Sequence, residues 1–291
     1  MLSRGLPNAT TTATVLFLGL IFLLWRFDWT SEQYHNGGAI ANPPSSAKGA
    51  PAKGPRIAII TFITSQKSYI HLSLKNKSRY AQRYGYDLIV DYESHAERGT
   101  TWLKFDMVER LIKEKQHDWI WWMDFDTLIT NTDIKVADII NDSLANVTTP
   151  ADIDFLLTDD CNGLNDGSFI VRSSPRSIEF LNRVRKLHDV EDKKGNGLND
   201  QESMRDFLKT NDPFVKHAVA IPQWKINAFP EEIHCFDKSE QAWERGTFVI
   251  HFAGAWAHVE GDDPTGYLMQ KYEKEIMWGP DPGAEVLEEE R

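Results

Sequence analysis

The sequence predicts an α/β domain built on a Rossmann-like, mostly parallel sheet flanked by helices. Three observations predict it. Short apolar, β-branched runs recur at 56–63, 87–92 and 118–123. The segments between them repeat apolar residues every three or four positions. The resulting β-α-β-α-β alternation sets parallel strands side by side, with helices crossing over them.

Arg56-Ile57-Ala58-Ile59-Ile60-Thr61-Phe62-Ile63 is nearly free of polar residues, as a strand buried on both faces must be. From about Gln66 to Tyr84 the residues Tyr69, Leu72, Tyr80 and Tyr84 share one helical face, and Gly85 supplies a terminating cap. Asp87-Leu88-Ile89-Val90-Asp91-Tyr92 reads as the second strand. A second helix over 102–115 turns Phe105, Val108, Leu111 and Ile112 inward. Asp118-Trp119-Ile120-Trp121-Trp122-Met123 is the third strand. Further strands are expected at 154–158, 168–171, 219–221 and 248–252, and further helices at 175–187 and 200–208.

The ends read differently. Residues 1–8 form a short tail, and 9–29 hold an uncharged apolar run up to Trp25, long enough to span a bilayer as one helix. Trp25, Phe27 and Trp29 would lie at the interface. Ala39-Ile40-Ala41 resembles a signal cleavage site but lies too far beyond the run, which favours an uncleaved signal-anchor with a cytosolic tail. Residues 30–55 have the Gly, Pro, Ala and Ser content of a linker, read as a stem. That leaves 56–278 as one large domain and 279–291 as an acidic tail.

Hydrophobic residues make up 41% of the chain, enough for a sizeable core, which excludes wholesale disorder. The net charge of −11 argues against a nucleic-acid partner. Cys161 and Cys235 are too few for a disulfide framework or a cysteine-rich zinc site. Their spacing leaves two readings, one bridge in an oxidising compartment or two buried thiols.

Ligands of open α/β sheets bind at the carboxyl ends of strands, and Asp124-Phe125-Asp126 follows the third strand directly. In an extended segment the two carboxylates would point the same way and converge on a hard cation, which could neutralise a departing diphosphate. Solubilising loop acids are the plainer reading. His251 ends a strand in Phe248-Val249-Ile250-His251-Phe252-Ala253-Gly254, either as a core histidine or as a third ligand that would favour Mn²⁺ over Mg²⁺. Lys104 falls within the inward arc of its helix and either snorkels at the edge or pairs with a phosphate or Asp124. Gly163-Leu164-Asn165-Asp166-Gly167 reads as a loop approaching a ligand, or as an ordinary turn. Asn199-Asp200-Gln201-Glu202 reads as a capped helix start, with Asp200 complementing the helix dipole, or as a pair of polar groups beside a substrate.

Taken together, these segments resemble glycosyltransferase family 34, which includes yeast α-1,2-galactosyltransferases, α-1,6-mannosyltransferase subunits and plant xyloglucan xylosyltransferases. The resemblance runs from about Arg56 to Gly254. It rests on Lys75-Asn76-Lys77 with Tyr80 and Gly85-Tyr86-Asp87, on Trp102-Leu103-Lys104, on the strand ending in Asp124-Phe125-Asp126, on Gly163 to Phe169, on Asp200-Gln201-Glu202, and on His251-Phe252-Ala253-Gly254.

The resemblance implies a GT-A fold, a single-pass type II Golgi membrane protein with a luminal domain, and Mn²⁺ dependence. It also implies retaining transfer of a hexose from a nucleotide sugar to a glycan acceptor. By motif, Asp124, Asp126 and His251 would bind metal, Lys104, Asp124 and Asn165 the donor, and Asp200 and Gln201 would be catalytic. Phe125 differs from the small or amide residue of several members, which leaves UDP-galactose and GDP-mannose both open. Retention would need either a carboxylate nucleophile, for which Asp200 is the candidate, or a front-face route supported by Gln201. The competing class is a non-catalytic subunit of a glycosyltransferase complex, and assembly as a homo-oligomer or within such a complex stays open.

Asn76, Asn141 and Asn146 head glycosylation sequons. Asn76 lies within the apolar arc of its helix and is expected to be buried and unmodified. Asn141 and Asn146, in what reads as a polar connection, are the expected acceptors.

Overall fold

The computed structural model describes residues 54–92 and 97–280. The anchor at 9–29, nearly all of the stem and most of the acidic tail lie outside the described residues. Among the described residues, no helix is long and apolar enough to cross a membrane.

The chain runs β1 (Ile57–Ile63), α1 (Ile70–Tyr84), β2 (Asp87–Tyr92), α2 (Leu103–Glu114), β3 (Trp119–Met123), β4 (Thr127–Ile129), α3 (Val136–Ala145), β5 (Phe155–Asp160) and β6 (Gly163–Arg172). It continues through α4 (Pro175–Asp192), α5 (Asp200–Leu208), β7 (Ala218–Ala220), β8 (Val249–His251) and α6 (Pro264–Glu273). The main sheet has six strands in the order β2-β1-β3-β6-β5-β7, and β4 pairs with β8 in a second, two-stranded sheet.

The sheet is mixed rather than mostly parallel. β1 runs parallel to β2 and β3, and β7 parallel to β5, but β6 is antiparallel to both of its neighbours. The cause is local. Only Cys161 and Asn162 join β5 to β6, and so short a link makes a hairpin, whereas a parallel pair needs a long crossover. The segment expected as a ligand loop at 163–167 is therefore the first half of β6.

Every residue of β3 is buried. Ile120 and Trp122 face one layer with Phe105 and Val108 of α2 and Phe180 of α4. Trp119, Trp121 and Met123 face the other layer with Tyr80 of α1 and Ile139 and Ile140 of α3. This alternation is that of a central strand, and each such side chain contributes about 1.5–3 kcal/mol by leaving water.

Helix α3 replaces the polar connection expected around 141–146. Val136, Ile139, Ile140 and Leu144 recur at helical spacing and are buried. Asn141 and Asn146 remain exposed, one on the outer face of α3 and one at its C-cap. Asn76 is fully buried in α1. Its amide NH₂ donates to Ile129 O at 2.9 Å, and its Oδ1 accepts from Ile129 N–H at 2.7 Å. β4 is thus clasped by a side chain that has no room for a sugar.

Of the two readings for the cysteines, the structure has the bridge: Cys161 and Cys235 are disulfide-bonded across 74 residues of sequence. The bond ties the tip of the β5–β6 hairpin to the segment leading toward β8. Replacing both cysteines by Ser is expected to lower stability by about 4 kcal/mol, the loop-closure value for a ring of this size. Thermal unfolding of the double variant checks it.

Candidate active site

Asp124-Phe125-Asp126 does not continue β3 as an extended segment. Asp124 N–H donates to Gly167 O at 2.7 Å, and Asp124 O accepts from Thr127 N–H at 3.2 Å and Thr127 Oγ1 at 2.7 Å. The chain turns here from the large sheet into β4. The two carboxylates converge because of that turn, not because of strand alternation.

Helix α1 braces the turn from beneath. Ser73 Oγ donates to Phe125 O at 2.6 Å. Lys77 Nζ donates to Thr127 O and to Ser73 Oγ, each at 2.8 Å. Burial pulls the Lys77 ammonium down to about 7 against the opposing pull of Asp126 and Asp124. The Phe125 ring packs near Tyr69, with Lys77 Nζ 5.7 Å from its centre.

His251 reaches the same point by register, since it is the cross-strand partner of Thr127 in the β4–β8 pair. Its Nε2 lies 3.3 Å from Asp126 Oδ1, and its Nδ1 donates to Asn227 Oδ1 at 2.7 Å. Asp124, Asp126 and His251 each offer one ligand atom, all within 4.8 Å of one another. Ligands about 2.1 Å from an octahedral cation lie roughly 3–4 Å apart, so small side-chain rotations would let this set hold a divalent cation. A second observation supports the fit. A Cβ on Gly167 would stand 2.2 Å from His251 Cε1, so β6 is bare where the imidazole passes.

Asn227, which the sequence reading missed, fixes that imidazole. Its NH₂ donates to Thr158 Oγ1 and to Asn165 Oδ1, both at 2.9 Å. With those donors committed, Oδ1 faces His251 Nδ1–H and leaves Nε2 free to ligate. Asn165 in turn donates to Asp160 Oδ2 at 3.0 Å. The only sequence signal was an asparagine inside the apolar stretch Ile226-Asn227-Ala228-Phe229. Asn227→Ala is expected to weaken Mn²⁺ binding about 10–100-fold by releasing the ring. Calorimetric titration with Mn²⁺ reads this directly.

Lys104 does not snorkel. It is buried, with Nζ 2.9 Å from both Asp166 Oδ1 and Asp200 Oδ2 and 3.9 Å from Asp124 Oδ1. Burial alone would lower its pKa, but Asp166, Asp200 and Asp124 outweigh burial and hold it well above the ordinary lysine value. Burial pushes Asp166 well above the carboxylate range. Asp200 feels the same burial, yet Lys104 and hydrogen bonds from Thr101, Lys104 and Asp166 bring it below that range. Burial also raises Asp124, whose Oδ1 accepts from Trp122 Nε1–H at 2.8 Å. Burial, the largest influence, would raise Asp126, but His251, its own backbone N–H and Lys77 together bring it below its usual value.

The acidic turn is a wall shared by two clefts. One, of about 230 Å³, is lined by Phe62, Ser65, Tyr69, Thr101, Lys104 and Trp122 together with Asp124 and Asp126. The other, of about 350 Å³, is lined by the metal-ligand triad, Asp160, Asn162, Asn165, Gln201, Phe229, Gly254, Ala257 and His258. Gln201 Oε1 accepts from Asp166 N–H at 3.2 Å. Asp200 lines neither cleft. The helix-start reading of its segment also holds, since Asn199 and Glu202 form a capping box.

Residues 53–260 match the profile described as the galactosyl transferase GMA12/MNN10 family. An uncharacterized α-1,2-galactosyltransferase of Schizosaccharomyces pombe is 29% identical over 226 residues, covering 65% of this chain and 56% of that protein. A probable α-1,6-mannosyltransferase, MNN10 of Saccharomyces cerevisiae, is 27% identical over 186 residues, covering 55% of this chain and 47% of that protein. The chain thus spans about half the length of these curated relatives. Among solved structures, a glycosyltransferase involved in glycosylation of the major capsid of PBCV-1 shares the fold. Its TM-score is 0.56, over 75% of this chain and 100% of that one, at 14% identity.

Proposed function

The chain belongs to the galactosyl transferase GMA12/MNN10 family, and from that premise we propose that it transfers a hexose from UDP-galactose or GDP-mannose to a glycan acceptor, retaining the anomeric configuration. The observation that carries this reading is the convergence of Asp124, Asp126 and His251 at the carboxyl end of β3. These three residues would hold Mn²⁺, which when bound neutralises the diphosphate leaving group.

The chain's own groups supply the remaining chemistry. The cleft between Phe62, Tyr69 and Thr101 lies where strands β1 and β3 end and would take the nucleotide. The cleft on the other side of the turn would take the transferred sugar and the acceptor. With its Oε1 engaged by Asp166 N–H, Gln201 presents its NH₂ as a donor at the reacting centre. Asp200 is ion-paired to Lys104 and absent from both cleft walls, which favours a front-face route over a covalent intermediate on Asp200. Lys104 would set the charge of Asp124 and so the grip on the cation.

The Cys161–Cys235 bridge supports an oxidising, luminal setting. With 9–29 as a signal-anchor, that setting would be the Golgi. The complete triad argues against a non-catalytic subunit, since such a subunit has no need of convergent metal ligands. The test is donor turnover by the full-length chain in detergent, with and without Mn²⁺, against a panel of nucleotide sugars. Turnover of UDP-galactose or GDP-mannose that requires Mn²⁺ is expected. A folded protein that hydrolyses or transfers from no donor refutes the proposal.

A further inference from the structure

We propose that Trp256 forms an acceptor subsite, stacking a sugar ring of the glycan one or more residues away from the ring being modified. The inference rests on the transferase reading above and adds the place where the acceptor is held. Trp256 is 78% exposed, the most exposed large apolar side chain among the described residues. A single exposed apolar side chain needs no explanation by itself, but this one is a tryptophan on the turn whose next two residues line the cleft of the metal-ligand triad, and the indole's large amphipathic face is favoured at binding surfaces.

The backbone holds it there. After His251 the chain passes Gly254 in the left-handed conformation, φ 63°, and closes a tight turn over Ala255–Ala257. Ala257 N–H donates to Gly254 O at 2.8 Å, and His258 N–H and Val259 N–H donate to Ala255 O at 3.0 and 2.9 Å. Ala255, fully buried, pins the inside of this turn, while Trp256 projects outward. The two residues after it, Ala257 and His258, line the same cleft as the metal-ligand triad. Helix α6 backs the turn, and its N-terminus is tied to the loop after β1 by Asp263, which accepts from Gly266 N–H and Ser68 Oγ. The indole is therefore carried on a braced support.

The occupant follows from the chemistry. Trp256 lies five positions after His251, a span of at most about 18 Å along the chain. That is the reach of a few sugar rings from the reacting centre. A pyranose offers a face of C–H groups that suits the electron-rich face of an indole, while its hydroxyls stay hydrated. The nucleotide has its own cleft on the other side of the acidic turn, so the segment around Trp256 is left to the acceptor.

The test compares Trp256→Ala and Trp256→Phe with wild type in the full-length chain, using methyl α-mannopyranoside and an α-linked mannotriose as acceptors. Wild type is expected to show a lower KM for the trisaccharide than for the monosaccharide. The Ala variant should raise the trisaccharide KM about tenfold, with little change for the monosaccharide and less than twofold change in donor KM. The Phe variant should recover most of the loss. Equal KM for the two acceptors in wild type, an Ala variant within twofold of wild type on the trisaccharide, or no recovery by Phe would each overturn the subsite. So would a shift in oligomeric size without a change in KM, which would make Trp256 a protein contact. Failure of the wild-type chain to turn over any donor would instead strike the transferase reading.

Discussion

Asp126→Ala is expected to lower sugar transfer by about 10³-fold or more and to abolish measurable Mn²⁺ binding. Asp126 is the ligand nearest His251, with Oδ1 3.3 Å from Nε2. Removing it leaves one carboxylate and one imidazole, too few to hold a labile hard cation against water. The fold should survive, because the turn is held by backbone groups of Asp124, Phe125 and Thr127 rather than by the Asp126 carboxylate. Asp126→Asn keeps the shape and discards the charge, so it should resemble the Ala variant in activity. Transfer within tenfold of wild type in a variant that no longer binds Mn²⁺ would detach the chemistry from the metal.

Lys104→Met is expected to give the largest loss of stability, about 3–5 kcal/mol, because it strips the counter-charge from buried carboxyl groups. Asp166 and Asp200 are nearly inaccessible and, among the described residues, have no other cation in contact. Lys104→Arg should not restore the protein, since a planar fork cannot replace a point charge with acids on three sides. The pH dependence has a definite sign. The folded-state pKa of Lys104 is raised, so its stabilisation is complete below the unfolded value of about 10.4 and is lost as pH rises through the folded value. In the Met variant the deficit should shrink as the pH falls toward 4, where protons neutralise the abandoned acids. Denaturant midpoints for both proteins from pH 4 to 9 check this. A deficit below 1 kcal/mol at pH 7 would mean that the cluster is solvated.

Much of this site could be read from residues that sit where they should not. A lysine within the apolar arc of α2, an asparagine within that of α1 and acids at the end of an all-apolar strand each conflict with simple burial, and each lies at or beside the acidic turn. What stayed hidden depends on pairing between distant segments. Nothing local announces that His251 faces Thr127 across two short strands, or that Asn227 comes to rest against its ring. Asp166 looked like a turn residue because its partner, Lys104, belongs to another helix. The antiparallel course of β6 and the disulfide follow from a two-residue link whose geometry shows only once both strands are placed.

In the luminal setting proposed above, the clasp between Asn76 and Ile129 would set a race in the life of each new molecule. An Asn-Lys-Ser acceptor is open to oligosaccharide attachment only while helix α1 is unformed or undocked. A chain that closes promptly hides it. One that lingers would acquire a bulky saccharide where β4 must lie, and could no longer close. Occupancy at this one position would then serve as a tally of slow or failed maturation.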